Sequence, residues 1–202
     1  MSRDVFELVC AMNRNSVEMQ LVVQCAPLLA GLKISNLLII SAENQEAFEN
    51  LMNDRDLSVY FLTRLNGKVV YLLFRYEELE ALMTDSNISS FFRREGYSDL
   101  SIYAVLRKFK KRYERHTLSG GEFPHEMGLI LGYPIEDVVG FIENEGNNCL
   151  YTGYWKVYNR LEEKKRIFIS YEKATERIVK MISRGVPVRD IVSVKNRKIC
   201  SI

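Results

Sequence analysis

The pattern of hydrophobic positions begins with a helix that is followed by a strand. From Val17 to Leu29 apolar residues recur every three or four positions, which is the period of a helix with one buried face. Ser16 predicts the amino-terminal cap of this helix, and Gly31 predicts its end. The nearly all-apolar run from Asn36 to Ser41 then predicts a strand that is covered on both faces.

A β-hairpin over residues 58–76 is the clearest local signal in the sequence. The pair Asn66-Gly67 is flanked by two runs rich in Val, Tyr, Phe and Leu, which are Ser58–Leu65 and Lys68–Tyr76. Asn-Gly readily adopts the two positive φ angles of a type I′ turn, so it predicts direct pairing of these runs. With strict alternation, one face of the first strand would carry Val59, Phe61, Thr63 and Leu65.

Helical periodicity dominates the rest of the chain, with one further aromatic strand. Predicted helices cover Glu43–Asn53, Glu77–Met83, Ser86–Glu95, Leu100–Arg115 and Leu161–Arg184, and the predicted strand covers Leu150–Tyr158. These elements indicate an α/β or α+β domain in which several helices pack on a small sheet of about four strands. The 202 residues are expected to form a single domain, 1–202, with a frayed carboxyl-terminal tail over 187–202.

The formal net charge is only +2, but the charges are unevenly distributed. Residues 107–115 (RKFKKRYER) are strongly basic, whereas residues 117–155 contain six acidic residues and no Lys or Arg. Such runs usually form solvated faces, and the small net charge does not by itself indicate a nucleic-acid or membrane partner. The basic segment leaves contact with RNA or an acidic partner open.

Cysteine usage and the amino-terminal residues favour the cytoplasm. The four cysteines are scattered and form no CxxC pair, and the first ten residues lack the basic-then-apolar pattern of a signal peptide. We therefore expect a cytoplasmic protein with free thiols. The apolar stretch Leu21–Ile40 has about the length of a membrane span, but Gln24, Pro27 and Lys33 interrupt it, so no membrane partner is expected.

The segment Phe123–Tyr158 carries most of the candidate functional residues. Pro124 at the first position of a predicted helix supplies the right φ angle and has no amide to satisfy. His125 and Glu126 then lie in the first turn, where the positive end of the helix favours an anion and a neutral imidazole. A neutral imidazole can act as a general base or a metal ligand, and the alternative is a histidine hydrogen-bonded to a nearby carbonyl.

A second proline-led helix follows Tyr133, and Gly128 and Gly140 lie inside the two helices. An interior glycine costs a helix about 1 kcal/mol relative to alanine, so each of the two indicates close contact with protein or with a ligand. Two short helices joined by Gly-Tyr-Pro suggest a helix-turn-helix, but residues 124–145 include acidic residues and no Lys or Arg. DNA reading by the 124–145 helices is therefore not expected, because a recognition helix needs groups that meet phosphates and bases.

The predicted strand that ends at Tyr158 is unusually aromatic. On a regular strand Trp155 and Gly153 would share one face, and the opposite face would carry Tyr154, Lys156 and Tyr158. Gly153 leaves a gap beside the only tryptophan of the chain, which could admit a flat ligand or a neighbouring side chain. Aromatic rings that carry a polar group suit a binding surface. The ligand-binding candidates are Glu126, Tyr133, Tyr154, Trp155, Lys156 and Tyr158.

Cys25 offers a different chemistry. It precedes Pro27, which must either kink the helix or restart it. A restarted helix would place Cys25 just ahead of a new amino terminus, where a thiol loses its proton more readily. A kinked helix would instead bury Cys25 as a small core residue. A reactive Cys25 could pair with His125 as nucleophile and base.

Three segments of the chain resemble a bacterial protein family. They are QCAPLLAGLK (residues 24–33), FPHEMGLILGYPIEDVVGFIENEG (123–146) and GYWKVY (153–158), and the similarity extends over about residues 21–185. The family is domain of unknown function 3793, whose typical members come from anaerobic Firmicutes. The resemblance implies a single cytoplasmic domain of about this length, and it implies no activity.

Two functional hypotheses follow from these observations. The first is a small-ligand-binding or regulatory module whose pocket lies near His125 and the 150–158 strand. The second is a thiol-dependent enzyme, for acyl transfer or thiol redox chemistry, in which Cys25 is the nucleophile and His125 is the base. The sequence has no Gly-rich phosphate loop, GxSxG, HExxH or metal-ligand cysteine spacing, so it predicts no metal and leaves the cofactor open.

Overall fold

The computed structural model describes residues 7–10, 12–13, 15–53 and 56–192. Most of the predicted tail, from residue 193 onward, lies outside the described residues. Internal contacts divide the chain into two compact units, of which the first comprises Met1–Arg75 and Ile169–Ile202 and the second comprises Tyr76–Phe168. The interpretation as a single domain stays a prediction.

The first unit is built on a three-stranded antiparallel sheet. Its elements are α1 (Val17–Leu29), β1 (Ser35–Ser41), a short 3-10 helix (Ala42–Asn44), α2 (Gln45–Met52), β2 (Ser58–Leu65) and β3 (Lys68–Phe74). The strand order is β1-β3-β2, so one strand of the hairpin lies in the middle of the sheet. This central strand is buried from its second residue to its end.

The hairpin prediction is confirmed in its turn and is wrong in part of its alternation. The two turn residues have φ angles of 49° and 69°, and Leu65 pairs with Lys68 directly across the turn. The register then shifts between Phe61 and Thr63. This bulge turns two consecutive side chains, those of Leu62 and Thr63, into the interior, so strict alternation ends there.

Helix α1 runs without interruption through Pro27. The hydroxyl of Ser16 accepts a hydrogen bond from the backbone N–H of Met19 at 3.3 Å, which confirms the predicted cap. Because the helix does not restart at the proline, Cys25 lies within it and is fully buried in the core of the first unit. Apolar side chains of β1 and β3 belong to the same core, including Leu38, Ile40, Val69, Tyr71 and Leu73.

The second unit is mainly helical. Its elements are α3 (Tyr76–Met83), α4 (Ser86–Arg94), α5 (Ile102–Ser119), α6 (Glu126–Ile130), α7 (Ile135–Glu143), β4 (Tyr151–Thr152) and β5 (Lys156–Val157). The long helix α8 (Leu161–Ser183) begins in this unit and continues in the first, which also holds α9 (Val188–Val192). Asp85 caps α4 by accepting hydrogen bonds from the backbone N–H groups of Asn87 and Ile88.

The aromatic segment 150–158 is a tight two-stranded ribbon rather than one regular strand. Strands β4 and β5 pair antiparallel, and the chain reverses at Gly153, whose N–H donates to the Trp155 carbonyl at 3.1 Å. The alternating faces expected for this segment are therefore wrong, because a reversal separates its two halves. The described strands form two small antiparallel sheets packed by helices, and the fold class is α+β.

Candidate functional site

A cavity of ≈190 Å³ in the second unit is lined by residues of α6, α7 and β5 and by the segments beside them. We call it the aromatic cavity. Four of the candidates named from the sequence line it, and these are His125, Tyr133, Trp155 and Lys156. The packing of two short helices and the ribbon brings these separate parts of the chain to one place.

Two glycines allow the close approach that forms the cavity walls. A Cβ atom on Gly128 would lie 2.8 Å from Val138 Cγ2, so α6 packs against α7 at this point. A Cβ atom on Gly140 would lie 2.6 Å from Tyr158 Cβ, so α7 packs directly on the residue that follows β5. Protein packing therefore accounts for both interior glycines.

Trp155 forms the rigid wall of the aromatic cavity. Its indole ring stacks on Tyr133 with ring centroids 5.1 Å apart and an interplanar angle of 26°. Phe168 meets the indole edge-on, with centroids 4.5 Å apart. Such pairs contribute about 0.5–1.5 kcal/mol each beyond the burial of their area, so the orientation of Trp155 is well determined.

Asp137 holds this wall in place from α7. Its carboxylate is 2% exposed and accepts three hydrogen bonds. Oδ2 accepts from the indole Nε1 of Trp155 at 2.7 Å, and Oδ1 accepts from the backbone N–H groups of Tyr158 and Asn159 at 2.8 and 3.1 Å. The carboxylate thus ties the ribbon and the chain that follows it to α7.

His125 lies half-buried beside the aromatic cavity. Its ring contacts Phe123 and Phe141, with centroids 5.2 and 5.9 Å away. Among the described residues no hydrogen-bond partner occurs for its imidazole. The carbonyl-bonded alternative applies instead to the other histidine, because His116 Nδ1 lies 2.8 Å from the Gly121 carbonyl oxygen.

Lys156 supplies a positive charge near the same aromatic ring. Its Nζ atom donates a hydrogen bond to the Gly146 carbonyl oxygen at 2.6 Å and lies 5.8 Å from the centroid of Phe141. Since Phe141 also contacts His125, two basic side chains flank one ring of the cavity wall. A bound molecule could therefore meet apolar walls and hydrogen-bond donors together.

Glu126 lies outside the aromatic cavity and has a different environment. Its side chain is 0% exposed and forms an ion pair with Arg112, with Nε 2.7 Å from Oε1. Oε1 also accepts a hydrogen bond from the Tyr97 hydroxyl at 2.8 Å. Burial, followed by the nearby charge of Glu126, raises the pKa of Tyr97 above its ordinary value. These contacts make Glu126 part of a buried polar network that links α6 to α5.

Tyr154 and Tyr158 also lie away from the cavity lining. Tyr154 is exposed and packs on Phe168, with centroids 5.5 Å apart, whereas Tyr158 packs under Gly140. The gap expected at Gly153 is filled by the Phe168 ring, because a Cβ atom there would lie 2.3 Å from Phe168 Cε2. Of the two alternatives for this gap, the neighbouring side chain is the one observed.

Several lining residues were not among the candidates predicted from the sequence. The cavity is also lined by Phe123, Met127, Asp137, Val138 and Phe141. Helical spacing could have identified part of this set, because Asp137 and Phe141 lie one turn apart on α7. Met127 had no comparable signal, since an apolar residue on a short helix usually faces a core.

Cys25 lies in the first unit and His125 in the second. The Cys25 thiol contacts Asn36, with Nδ2 3.6 Å from Sγ, and the Leu37 carbonyl oxygen is 3.8 Å from Sγ. Burial raises the pKa of Cys25 to about 12, against smaller opposite effects of Asn36 and Lys33. A thiol in this environment stays protonated at neutral pH, which disfavours a role as nucleophile.

We expect iodoacetamide to alkylate Cys25 in the folded protein more than about a hundredfold more slowly than the exposed Cys10 at about pH 8.5. Peptide mass mapping after timed quenching measures both rates, and urea-unfolded protein gives the reference in which Cys25 is accessible. Comparable labelling of the two cysteines in the folded protein would contradict a buried, protonated Cys25 thiol and would favour the enzyme hypothesis.

The same pKa shift has a consequence for stability. The folded-state pKa of Cys25 lies above the ordinary value of 9.0, so the folded protein holds the thiol proton more tightly than the unfolded chain does. The stability that this proton contributes is fully present below about pH 9 and is lost as the pH rises towards 12. Cys25→Ala should reduce the loss of stability over this interval, which urea titrations at a series of pH values would measure. An unchanged pH dependence would show that other groups cause the loss.

Two further features are absent from the part of the chain that the structure describes, a metal-binding cluster and a membrane-spanning helix. No group of three or more His, Cys, Asp or Glu side chains there could hold a metal ion. No described helix combines the length and apolar character that crossing a bilayer requires.

Comparisons with known proteins place the chain in a family without assigning it an activity. Neither curated proteins nor solved structures gave a match. A family model described as Protein of unknown function (DUF3793) matches residues 21–192, a range that contains α1 from Leu21 onward, the elements from β1 to α9 and every residue of the aromatic cavity. The match covers most of the chain, which therefore belongs to the DUF3793 family.

Proposed function

We propose that the protein is a small-ligand-binding or regulatory module and that the aromatic cavity is its binding site. The observation that carries this proposal is that His125, Tyr133, Trp155 and Lys156 line one cavity. Small-molecule sites are typically concave and mostly apolar, with a few polar groups that orient the ligand. The aromatic cavity fits this description, because its walls are largely aromatic and its basic groups are few.

The size of the cavity limits the ligand. An engineered apolar cavity of about 150 Å³ binds benzene. The aromatic cavity, at ≈190 Å³, is slightly larger. We therefore expect a ligand of about one ring with a short substituent, rather than a nucleotide or a drug-sized molecule.

The basic side chains favour a ligand that carries an anionic or acceptor group. An ammonium group has three N–H donors, and Lys156 uses one of them for the Gly146 carbonyl. The imidazole of His125 has at least one N–H donor and forms no hydrogen bond within the described residues. A carboxylate on an aromatic ring would match this combination of donors and apolar walls.

The surroundings of His125 support binding more than catalysis. A catalytic histidine is usually oriented by a carboxylate or a carbonyl, and the described residues provide neither for His125. The carboxylate of Asp137 lines the cavity, but its oxygens already accept three N–H groups. The buried, protonated Cys25 adds no support for thiol chemistry.

Fluorescence of Trp155 provides the test, because it is the only tryptophan and lines the cavity. We expect saturable changes in its emission on titration with benzoate and with toluene. His125→Ala should weaken benzoate binding about tenfold, since it removes a hydrogen bond to a charged group, and should leave toluene affinity within about twofold.

His116→Ala is the matched control, because His116 bonds the Gly121 carbonyl and meets the cavity wall only from behind, through a ring contact with Phe123 at 5.2 Å. It should leave both affinities within about twofold, because it removes no donor from the cavity. Emission that does not respond to either probe, or equal losses in both histidine variants, would contradict binding in the aromatic cavity.

A further inference from the structure

The cations of helix α5 are not equivalent. Arg112 turns towards Glu95 and Glu126, with N···O distances of 3.0 and 2.7 Å. Lys110 lies 4.0 Å from the Glu114 carboxylate, one turn along the same helix. Two of the six cations of the basic segment 107–115 are therefore engaged with carboxylates.

Three other cations of α5 line a separate polar concavity, which we call the basic hollow. It has a volume of ≈410 Å³ and is formed by Arg107, Lys108 and Lys111 together with the turn 96–99 and Ala104. None of these residues lines the aromatic cavity. The basic hollow is thus separate from the proposed ligand site.

The basic hollow contains one carboxylate, and this group is engaged locally. Asp99 Oδ1 accepts a hydrogen bond from the backbone N–H of Ser101 at 2.8 Å. Bonds to Ser101 hold the pKa of Asp99 below its ordinary value, so the carboxylate is ionised at neutral pH. Three cations against this single anion leave the hollow with an excess of positive charge.

Lys108 is fixed in position without a carboxylate partner. Its Nζ atom donates to the Glu95 carbonyl oxygen at 3.0 Å and lies 4.3 Å above the ring of Tyr97. The Nζ atom also lies close to the Gly96 backbone, because a Cβ atom at Gly96 would be only 3.0 Å from it. The ammonium group is therefore held at the wall of the hollow with N–H donors left over for an anion.

We propose that the basic hollow binds a small molecule that carries a diphosphate or triphosphate group. Several cations around one concavity suit a compact polyanion, whose oxygens can accept hydrogen bonds from more than one of them. An extended nucleic acid would need a longer row of phosphate contacts. The pairing of Lys110 and Arg112 with carboxylates leaves fewer cations of α5 for such a row.

The test is isothermal titration calorimetry at low salt with pyrophosphate and with ADP, which share the diphosphate group. Both should bind saturably to the wild-type protein. Lys111→Gln and Lys108→Gln should each weaken pyrophosphate binding about tenfold, since each removes a hydrogen bond between charged groups. Lys110→Gln makes the same change in charge on the same helix outside the hollow, and it should change affinity by less than about twofold.

Lys111 is exposed, so Lys111→Gln should fold normally, and circular dichroism with thermal unfolding would verify this. The proposal is overturned if pyrophosphate shows no saturable binding up to about 10 mM. It is also overturned if Lys110→Gln weakens binding as much as Lys111→Gln. Tighter binding of single-stranded RNA than of ADP, with equal losses in all three variants, would assign the basic side chains to nucleic acid instead.

Discussion

Replacing Arg112 by methionine is expected to destabilise the protein by about 3–5 kcal/mol, because the substitution leaves a buried carboxylate without its cation. Glu126 is 0% exposed, and its Oε1 atom would retain only the Tyr97 hydroxyl as a partner. Its Oε2 atom already has no hydrogen-bond partner among the described residues. The remaining network therefore could not compensate for the loss of the guanidinium.

Urea unfolding of the wild-type and variant proteins measures this effect. Lys110→Met is the matched control, because its partner Glu114 is partly exposed and the pair should contribute less than about 1 kcal/mol. A double variant, Arg112→Met with Glu126→Met, should recover much of the lost stability, since it removes the unpaired charge. Equal effects of Arg112→Met and Lys110→Met would contradict the buried ion pair.

The second large effect is expected for Asp137→Ala, at about 3 kcal/mol. The variant removes the acceptor of three N–H groups. A buried donor without a partner costs about 1–3 kcal/mol, and water that enters the site and accepts these hydrogen bonds would reduce the total. The indole of Trp155 would lose its bond of 2.7 Å, and the ribbon would lose its attachment to α7. We therefore expect lower stability and a shifted Trp155 emission in the same variant.

Glu143→Ala is the control for this prediction, because Glu143 is exposed on the same helix. It should change stability by less than about 0.5 kcal/mol. Thermal unfolding followed by fluorescence reports stability and the environment of Trp155 in one experiment. An Asp137→Ala protein as stable as the control, with unchanged emission, would show that Asp137 does not hold the cavity wall.

The sequence correctly predicted the elements that short-range interactions determine. The Asn-Gly turn determines its hairpin, the Ser16 cap begins α1, and both are confirmed. The bulge after Phe61 could not be predicted from local sequence, because it depends on which side chains of β2 pack in the interior. The reversal at Gly153 was also missed, because an aromatic, apolar run is typical of a regular strand.

The candidate site was predicted in outline because proline and glycine mark the two short helices. His125 and Tyr133 are each adjacent in sequence to one of these prolines, and both line the aromatic cavity. Glu126 stands beside them as well, yet it pairs with Arg112, a residue of another helix. Sequence spacing carries no information on that partner, so the buried network became visible only in the structure.

The methyl resonance of Met127 reports whether a small ligand occupies the aromatic cavity. Met127 lines the cavity, whereas Met83 is buried elsewhere in the same unit. In protein labelled with carbon-13 at the methionine methyl groups, benzoate should shift the Met127 resonance saturably and leave that of Met83 in place. An unchanged Met127 resonance, or equal shifts of both resonances, would contradict ligand binding in the aromatic cavity.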